Sequence, residues 1–222
     1  MIFSARAGVS HTHRTGHRQW PARNHVVVNT ARLRNFVTDF TRLTDEAQGN
    51  EGRFLQAGKG LLAELVRTDD WLPTAFALAS PSRYQQYLLH CDPLQRFSVV
   101  SFVWDKGQET PIHNHTVWGL IGVLRGAEVS TRYATQDTPM PLQEGSTERL
   151  EAGEIDTVSP TIGDIHRVAN AYTDRVSISI HVYGANIGAV RRATFSRQDG
   201  STRDFISEYA RDVTPNLWSA ST

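Results

Sequence analysis

Residues 107–126 read GQETPIHNHTVWGLIGVLRG, and this stretch decides the fold prediction. A proline and an isoleucine lead into His113 and His115, and the apolar segment Val117–Leu124 follows them. Because side chains alternate along a β-strand, a strand through His113 and His115 would place both imidazoles on the same face. The apolar segment ends at Gly126, a turn residue, and is typical of a second strand. The stretch therefore predicts β-structure that carries two potential metal ligands.

Further predicted strands flank this stretch. Six short segments are rich in Val, Ile and aromatic residues and are separated by Gly, Pro and Asp. These segments are Phe97–Trp104, Val117–Leu124, Ala127–Tyr133, Glu154–Val158, Ile165–Val168 and Val176–Tyr183. Six strands within about 90 residues favour a small antiparallel barrel or jelly roll.

The chain before these strands has helical spacing. Apolar residues at three- and four-residue intervals predict one helix over Thr30–Leu43 and a second over Phe54–Val66, with Gly58 and Gly60 weakening the second. A third, short helix is predicted through four further apolar residues: Tyr84, Tyr87, Leu88 and Leu89.

No linker separates the helices from the strands, so we expect one domain at 30–222. Its helical part would cover about 30–92 and its barrel about 93–195, with a C-terminal extension behind them. Residues 1–29 contain several arginines and no acidic residue, which predicts a flexible N-terminal leader rather than a folded segment. Three histidines of this leader are left out of the predicted site: His11, His13 and His17.

Composition narrows the range of partners. The 222 residues carry 23 basic and 23 acidic side chains, and the formal net charge is +0, so nothing draws the whole chain to nucleic acid or to a membrane surface. The mean hydropathy of -0.39 is typical of a soluble protein. Cys91 is the only cysteine, which agrees with a cytoplasmic location. The chain is expected to be a monomer or a small homo-oligomer.

A third histidine completes a candidate metal site. His166 follows Gly163-Asp164-Ile165 at the start of another predicted strand, so its imidazole could reach the ion held by His113 and His115. Three histidines on rigid strands would cap one side of an ion and leave other positions open, as metal catalysis requires and a closed structural site does not allow.

The spacing around these histidines resembles the two sequence motifs of cupins. The first motif is matched by Gly107, His113, His115 and Gly126. The second is matched by Gly153, Pro160, Gly163, His166 and Asn170. Most cupins place a Glu ligand after the histidine pair, where this chain has Gly119 or Leu120. A site of three neutral imidazoles leaves the full charge on a divalent ion and so favours an anionic ligand such as a thiolate.

The segment Ser177–Tyr183 alternates polar and apolar side chains without a break. A strand would place Ser179, His181 and Tyr183 on one face. On a solvated sheet that face would simply contact water, whereas inside a barrel it would form a hydrogen-bonded relay ending at the phenol.

The histidine pair, the distant third histidine and the Ser-x-His-x-Tyr strand together resemble the cysteine dioxygenase family of thiol dioxygenases, over about residues 30–195. The resemblance implies a cupin double-stranded β-helix, mainly β, with N-terminal α-helices packed against it. It also implies one mononuclear Fe(II) held by His113, His115 and His166, and oxidation of a small thiol to its sulfinate by O2. The implied outer relay is Ser179, His181 and Tyr183.

Two positions bear on the substrate. Mammalian-type members carry a Tyr-x-Arg segment whose arginine binds the carboxylate of cysteine, and this chain has Gln86 at that place. The segment Asn186–Arg192 resembles the bacterial Gln-type branch, in which a late arginine takes over, here Arg192, with Arg191 as the alternative. That branch prefers 3-mercaptopropionate. The cysteine that is cross-linked to tyrosine in mammalian-type members is Gly119 here, so Tyr183 is expected to be unmodified.

Three alternatives stay open. The same chemistry could act on L-cysteine, although the neutral Gln86 is a poor substitute for a cationic anchor. The chain could be a non-catalytic cupin that binds a small ligand and a metal, which would need no proton relay. It could also be an enzyme that uses Zn, Ni or Mn for hydrolysis or isomerisation. The partners expected are a small thiol with a carboxylate and O2, without nucleic acid or membrane.

Overall fold

The structure is a computed structural model that describes residues 29–47, 49–134 and 143–218. Apart from Asn29, the predicted leader lies outside the described residues, as do His11, His13 and His17. The described part begins with two helices, α1 (Ala31–Ala47) and α2 (Glu51–Val66), and has short 3₁₀ turns at Thr74–Phe76 and Ile187–Ala189. In the described part, no helix has both the length and the apolar character that a membrane span needs.

The described residues also form eleven strands, most of them short. They are β1 (Gln85–Cys91), β2 (Ser98–Trp104), β3 (Ile112–His113), β4 (Gly119–Arg125), β5 (Ala127–Ala134), β6 (Gln143–Glu151), β7 (Ile155–Val158), β8 (His166–Asn170), β9 (Ser177–Tyr183), β10 (Arg192–Phe195) and β11 (Thr202–Phe205). A five-stranded sheet has the order β1-β2-β9-β4-β7 and a six-stranded sheet the order β11-β10-β3-β8-β5-β6. The pairings are antiparallel throughout the described strands.

The alternation of β2 and β9 gives the five-stranded sheet two buried faces. On one face Val99, Val103, Ile180 and other apolar residues pack against α1 and α2. The opposite face, which carries Val100 and Tyr183 among others, packs against β8 of the second sheet. The space between the two sheets is therefore the interior of a barrel, and the helices cover the barrel from outside.

Both long helices and the six predicted strands are confirmed. Most of their observed ends lie within two residues of the predicted ends. The predicted third helix is wrong: the residues from Gln85 onward form strand β1. This strand pairs along one side of β2, whose residues are all buried. Without it, backbone N–H and C=O groups of β2 would be buried without partners, so sheet pairing overrides the helical spacing. The helical part accordingly ends well before residue 92.

The strand predicted through the histidine pair is also wrong in extent. Strand β3 covers only Ile112–His113, and His115 lies beyond its end. Period-2 alternation therefore does not explain why both imidazoles point to the same place. Three further strands were missed: β6, which is largely exposed, β10, which lies at the end of the predicted barrel, and β11, which lies in the predicted C-terminal extension.

The two glycines of α2 differ in their surroundings. A Cβ added at Gly58 would lie 2.8 Å from Leu120 Cδ1 and 3.1 Å from Phe40 Cε2, whereas a Cβ at Gly60 would meet nothing within 4 Å. Gly58 therefore allows α2 to approach both α1 and β4 closely, and Gly60 only lowers the helix propensity.

We expect opposite effects from the same substitution at these two positions. Gly60→Ala should stabilise the protein by about 0.5–1 kcal/mol, because alanine loses less backbone entropy in a helix. Gly58→Ala should destabilise it by about 1–3 kcal/mol through overpacking. Urea unfolding of the two variants measures both changes, and equal stabilisation by both substitutions would show that the helix does not pack so closely.

Candidate metal centre and its surroundings

The three predicted histidine ligands come together inside the barrel. His113 on β3 pairs directly with His166, the first residue of β8, and His115 lies just beyond β3. The ring centroids are 4.9 Å, 5.0 Å and 4.9 Å apart, and one ligand nitrogen of each ring lies within 4.8 Å of the other two. All three residues are buried. They form a set that could hold one metal ion.

The Nδ1 atom of each of the three imidazoles lies within hydrogen-bond distance of another protein group. His113 Nδ1 is 3.0 Å from the carbonyl oxygen of Pro111, His115 Nδ1 is 3.2 Å from that of Asp164, and His166 Nδ1 is 3.3 Å from Ser130 Oγ. Such contacts fix the orientation and the tautomer of an imidazole and leave Nε2 free for a metal. The donor set therefore fits one divalent transition-metal ion with an open side.

Burial also keeps the three rings uncharged. It lowers the pKa of His113 to about 4, and it lowers the pKa values of His115 and His166 well below the usual value. The mutual repulsion of the three rings and the charge of Arg192 act in the same direction. Neutral imidazoles are the form that binds a metal, so ligation does not depend on proton release near neutral pH.

Asp164 explains how His115 reaches the site from beyond the strand. One carboxylate oxygen of Asp164 accepts from the backbone N–H of His115 at 3.0 Å and from that of Thr116 at 2.8 Å. Thr116 has a φ of 59°, a left-handed conformation that turns the chain sharply. In the sequence, Asp164 is distinguished only as a neighbour of His166. Its position two residues before a predicted ligand was the available signal.

Strand β9 carries a second chain of polar groups inside the barrel. Ser179 Oγ is 2.8 Å from His181 Nε2, and His181 Nδ1 is 2.7 Å from the hydroxyl of Tyr183. All seven residues of β9 are buried, so the alternative of a water-facing polar face is wrong. The Tyr183 ring stacks against His115, with centroids 5.3 Å apart, so this chain of groups ends at the metal centre.

Burial keeps both ring groups of this chain neutral. It lowers the pKa of His181 to about 3 and raises the pKa of the Tyr183 phenol far above its usual value. Position 119 adjoins the phenol as expected, because a Cβ added at Gly119 would lie 3.0 Å from the Tyr183 ring. Because Gly119 has only a hydrogen atom in place of a side chain, the Tyr183 ring has room beside it.

The two candidate arginines have different surroundings. Arg191 is exposed and forms an ion pair with Asp204 at 3.3 Å. Arg192 is 4% exposed, lies against the Phe205 ring and donates from one terminal nitrogen to Ser207 Oγ at 2.6 Å. Its Nε has no partner, and no described carboxylate pairs with it. Burial lowers the pKa of Arg192, and its charge acts on His113 and Tyr183.

Gln86 lies near Arg192 but on a strand, not on a helix as predicted. Its side-chain amide donates to Ser207 Oγ at 2.9 Å and to the carbonyl oxygen of Glu208 at 2.8 Å. Ser207 Oγ thus accepts from both Gln86 and Arg192, so its own O–H is available to donate to a further acceptor. No sequence signal marked Ser207, which becomes part of this cluster only through folding of the C-terminal segment.

Asn114 joins the cluster of three histidines to the strand that carries Arg192. Its side-chain oxygen accepts from the backbone N–H of Ala193 at 2.8 Å, and its own backbone N–H donates to the carbonyl oxygen of Ala193 at 3.1 Å. The residue between the two histidines therefore fixes the position of Arg192 relative to the metal centre.

Comparison with known proteins finds one matching family and several similar solved structures. The family model described as "Cysteine dioxygenase type I" matches residues 62–197. Among solved structures, a double-stranded beta-helix protein from Klebsiella pneumoniae is 20% identical, with a TM-score of 0.38 over 51% of this chain and 87% of that one. A cupin 2 conserved barrel protein from Rhodopseudomonas palustris is 14% identical, with a TM-score of 0.40 over 55% and 75%.

The matched residues 62–197 take in the three buried histidines and the polar groups of β9. They also take in Gln86 and Arg192, the two residues that hold Ser207. The fold is mainly β, a cupin double-stranded β-helix with N-terminal helices, and the chain belongs to the cysteine dioxygenase type I family.

Proposed function

We propose that this protein is an Fe(II)-dependent thiol dioxygenase that converts 3-mercaptopropionate to 3-sulfinopropionate. Both atoms of O2 form bonds to the sulfur, which is oxidised while O2 is reduced, and no other reductant is consumed. The observation that carries the proposal is the buried guanidinium of Arg192, which has a free Nε and no described carboxylate partner and lies near three neutral histidines. An anionic ligand would compensate this charge. The single free cysteine fits a cytoplasmic location.

The metal is assigned from the donor set. His113, His115 and His166 offer three neutral nitrogens on one side of the ion and no carboxylate, so the other side is left for ligands from solution. When bound there, Fe(II) supplies the redox chemistry and brings thiolate and O2 together. The contacts of Pro111, Asp164 and Ser130 hold the ligand rings in position for it.

Arg192 is proposed as the anchor of the substrate carboxylate. A guanidinium can meet a carboxylate with two parallel hydrogen bonds, and the unpartnered Nε of Arg192 is one available donor. The hydroxyl of Ser207 can add a third bond. Binding of the carboxylate here would fix the distance of the thiol from the three histidines.

Tyr183 is proposed to donate a hydrogen bond to the substrate or to the reacting oxygen atoms. Its phenol stays protonated because burial raises its pKa, and His181 holds it in place. Ser179 in turn fixes the ring of His181. A non-catalytic binding module would need no such chain of proton-carrying groups ending at the metal centre.

Charge also favours 3-mercaptopropionate over L-cysteine. The ammonium group of cysteine would lie near the cation of Arg192, and no described carboxylate pairs with Arg192 to offset the repulsion. The amide hydrogens of Gln86 are already donated to Ser207 and Glu208. L-Cysteine oxidation is therefore the second candidate, with a lower kcat/KM.

Product analysis with ¹⁸O2 tests the reaction type. The iron-loaded protein should convert 3-mercaptopropionate to a sulfinate that contains two labelled oxygen atoms. A disulfide product, or a product with one labelled atom, would contradict the dioxygenase proposal. Binding of the thiol without oxygen uptake would favour the binding-module alternative.

Replacing Tyr183 with phenylalanine should lower kcat about 10- to 100-fold, the value of one hydrogen bond to a charged group. Bound iron should stay unchanged, because the tyrosine is not among the three ligands. Tyr172→Phe serves as a matched control, since Tyr172 contacts Arg149 and Arg175 away from the site. Steady-state oxygen uptake and iron analysis of both variants check this, and an unchanged kcat would remove Tyr183 from the mechanism.

A further inference from the structure

A buried carboxyl group lies inside the barrel without a counter-ion among the residues that the structure describes. Glu128 on β5 is 0% exposed, and neither of its carboxyl oxygens has a hydrogen-bond partner within the described residues. Buried polar groups in proteins are nearly always paired, so an unpaired buried carboxyl calls for a functional explanation.

The surroundings of Glu128 place it at the far end of the β9 relay. Its carboxyl lies beside the Ser179 hydroxyl and the Trp104 indole, which are joined by a 3.2 Å hydrogen bond from Trp104 Nε1 to Ser179 Oγ. Ser179 then contacts His181, and His181 contacts Tyr183. Glu128 and Tyr183 are thus at opposite ends of one chain of groups.

Few charged groups face Glu128 from the elements packed around it. Asp156 on β7 raises its pKa but is itself paired with Arg132 of β5 at 2.5 Å. On β8, the register partner of Glu128 is the neutral Asn170. On β6, its register partner is Leu150, and the nearby Glu148 is exposed. On β9, His181 is kept neutral by burial. Burial, the largest cause, raises the pKa of Glu128 to about 7.

We propose that Glu128 is a positioning residue whose proton sets the direction of the hydrogen bonds in the relay of Ser179, His181 and Tyr183. The proposal adds one hydrogen bond to the structure, between the Glu128 carboxyl and the Ser179 hydroxyl. Its effect on turnover rests on the proposed function, whereas its effect on the tautomer of His181 does not.

Each protonation state of Glu128 allows the hydrogen bonds of the relay to be donated in one direction only. When Glu128 is neutral, it donates to Ser179 Oγ, and the serine hydroxyl donates to His181 Nε2. The imidazole proton is then on Nδ1 and is donated to the Tyr183 oxygen, so the phenol O–H is free to donate to a ligand. When Glu128 is anionic, it accepts from the serine hydroxyl, His181 carries its proton on Nε2, and the phenol O–H is donated to His181 Nδ1.

The phenol of Tyr183 can donate to a ligand only when the Glu128 carboxyl is protonated. We call this arrangement of hydrogen bonds the active direction of the relay. Above the pKa of Glu128, the fraction of neutral Glu128 falls about tenfold per pH unit, and the donor function of Tyr183 is lost with it. Glutamine at this position has no proton to lose and can donate to Ser179 through its amide N–H, as neutral Glu128 does, so it would hold the relay in the active direction across the titration.

The tautomer of His181 is the direct test. The full chain is loaded with diamagnetic Zn²⁺, labelled with ¹⁵N at histidine, and titrated from about pH 5 to pH 9. We expect the His181 proton to move from Nδ1 to Nε2 across the titration in the wild type and to stay on Nδ1 in Glu128→Gln. An unchanging wild-type tautomer would overturn the proposal, whether or not the variant folds.

Turnover gives a second, separate readout. With iron and 3-mercaptopropionate, the ratio of kcat in Glu128→Gln to kcat in the wild type should rise about tenfold per pH unit above the wild-type transition. Glu148→Gln, which removes an exposed carboxylate from the neighbouring strand, should follow the wild-type profile. A flat ratio overturns the proposal. Absence of activity in every form contradicts the proposed function, and the tautomer titration still decides the role of Glu128.

Discussion

Replacing Arg192 with glutamine should raise KM for 3-mercaptopropionate about 100-fold, with a smaller change in kcat. Removing one partner of a buried, hydrogen-bonded ion pair costs about 2–5 kcal/mol, and the proposed carboxylate anchor has that character. Arg191→Gln is the matched control, because Arg191 is exposed and paired with Asp204. Steady-state oxygen uptake over a range of thiol concentrations measures both variants.

The stability of these variants separates binding from folding. Arg192 is a buried cation that no described carboxylate neutralises, so it costs folding free energy in the ligand-free protein. Arg192→Gln should therefore be at least as stable as the wild type by thermal unfolding while it loses affinity. Equal KM values in the Arg192 and Arg191 variants would show that the carboxylate is bound elsewhere.

Replacing His166 with alanine should abolish oxidation and weaken metal binding by more than about 100-fold. Removing only a residue that hydrogen-bonds to a metal ligand typically costs about 10- to 100-fold, and removing a ligand should cost more. His166 pairs with His113 across β3 and β8, so its loss leaves two ligands on one side of the ion. Iron content after dialysis and isothermal titration with Zn²⁺ provide the measurement.

His90→Ala is the control for this substitution. His90 is half-buried on β1 and packs against Phe97, away from the three ligands. This variant should keep the wild-type iron content and turnover. Full metal occupancy in His166→Ala would contradict the three-histidine centre, and loss of iron in both variants would point to general destabilisation.

The parts of the fold that the sequence predicted are those fixed by local pattern. Strand β9 alternates without interruption, and its polar face was predicted to become a relay if it lay inside a barrel, as it does. The helices α1 and α2 have a buried stripe at helical spacing. In each case the sequence period and the tertiary environment agree.

The errors came where tertiary contacts override local pattern. Gln86 lies on a strand because β2 needs a neighbour for its backbone groups, although the surrounding apolar residues also fit a helix. His115 reaches the other two histidines through the carboxylate of Asp164 rather than through strand alternation. The pairing of β1 with β2 has no local sequence signal, and the signal for Asp164 was its position two residues before His166.

Two polar residues, Ser207 and Glu128, could not be identified from the sequence for a different reason. Ser207 joins Gln86 and Arg192 only because the segment after β11 returns to the barrel, where the backbone N–H of Ala210 donates to the carbonyl oxygen of Gln86. Glu128 belongs to the strand pattern of β5 as an ordinary position, and only its complete burial distinguishes it. Side chains like these are identified by what surrounds them in three dimensions.

The most direct test of the proposed function compares two thiols under the same conditions. Oxygen consumption by the iron-loaded protein is measured with 3-mercaptopropionate and with L-cysteine, and the products are identified by mass. We expect a sulfinate from 3-mercaptopropionate with the higher kcat/KM. A higher kcat/KM for L-cysteine would contradict the substrate assignment, and no oxygen uptake with either thiol despite bound iron would contradict the thiol dioxygenase proposal.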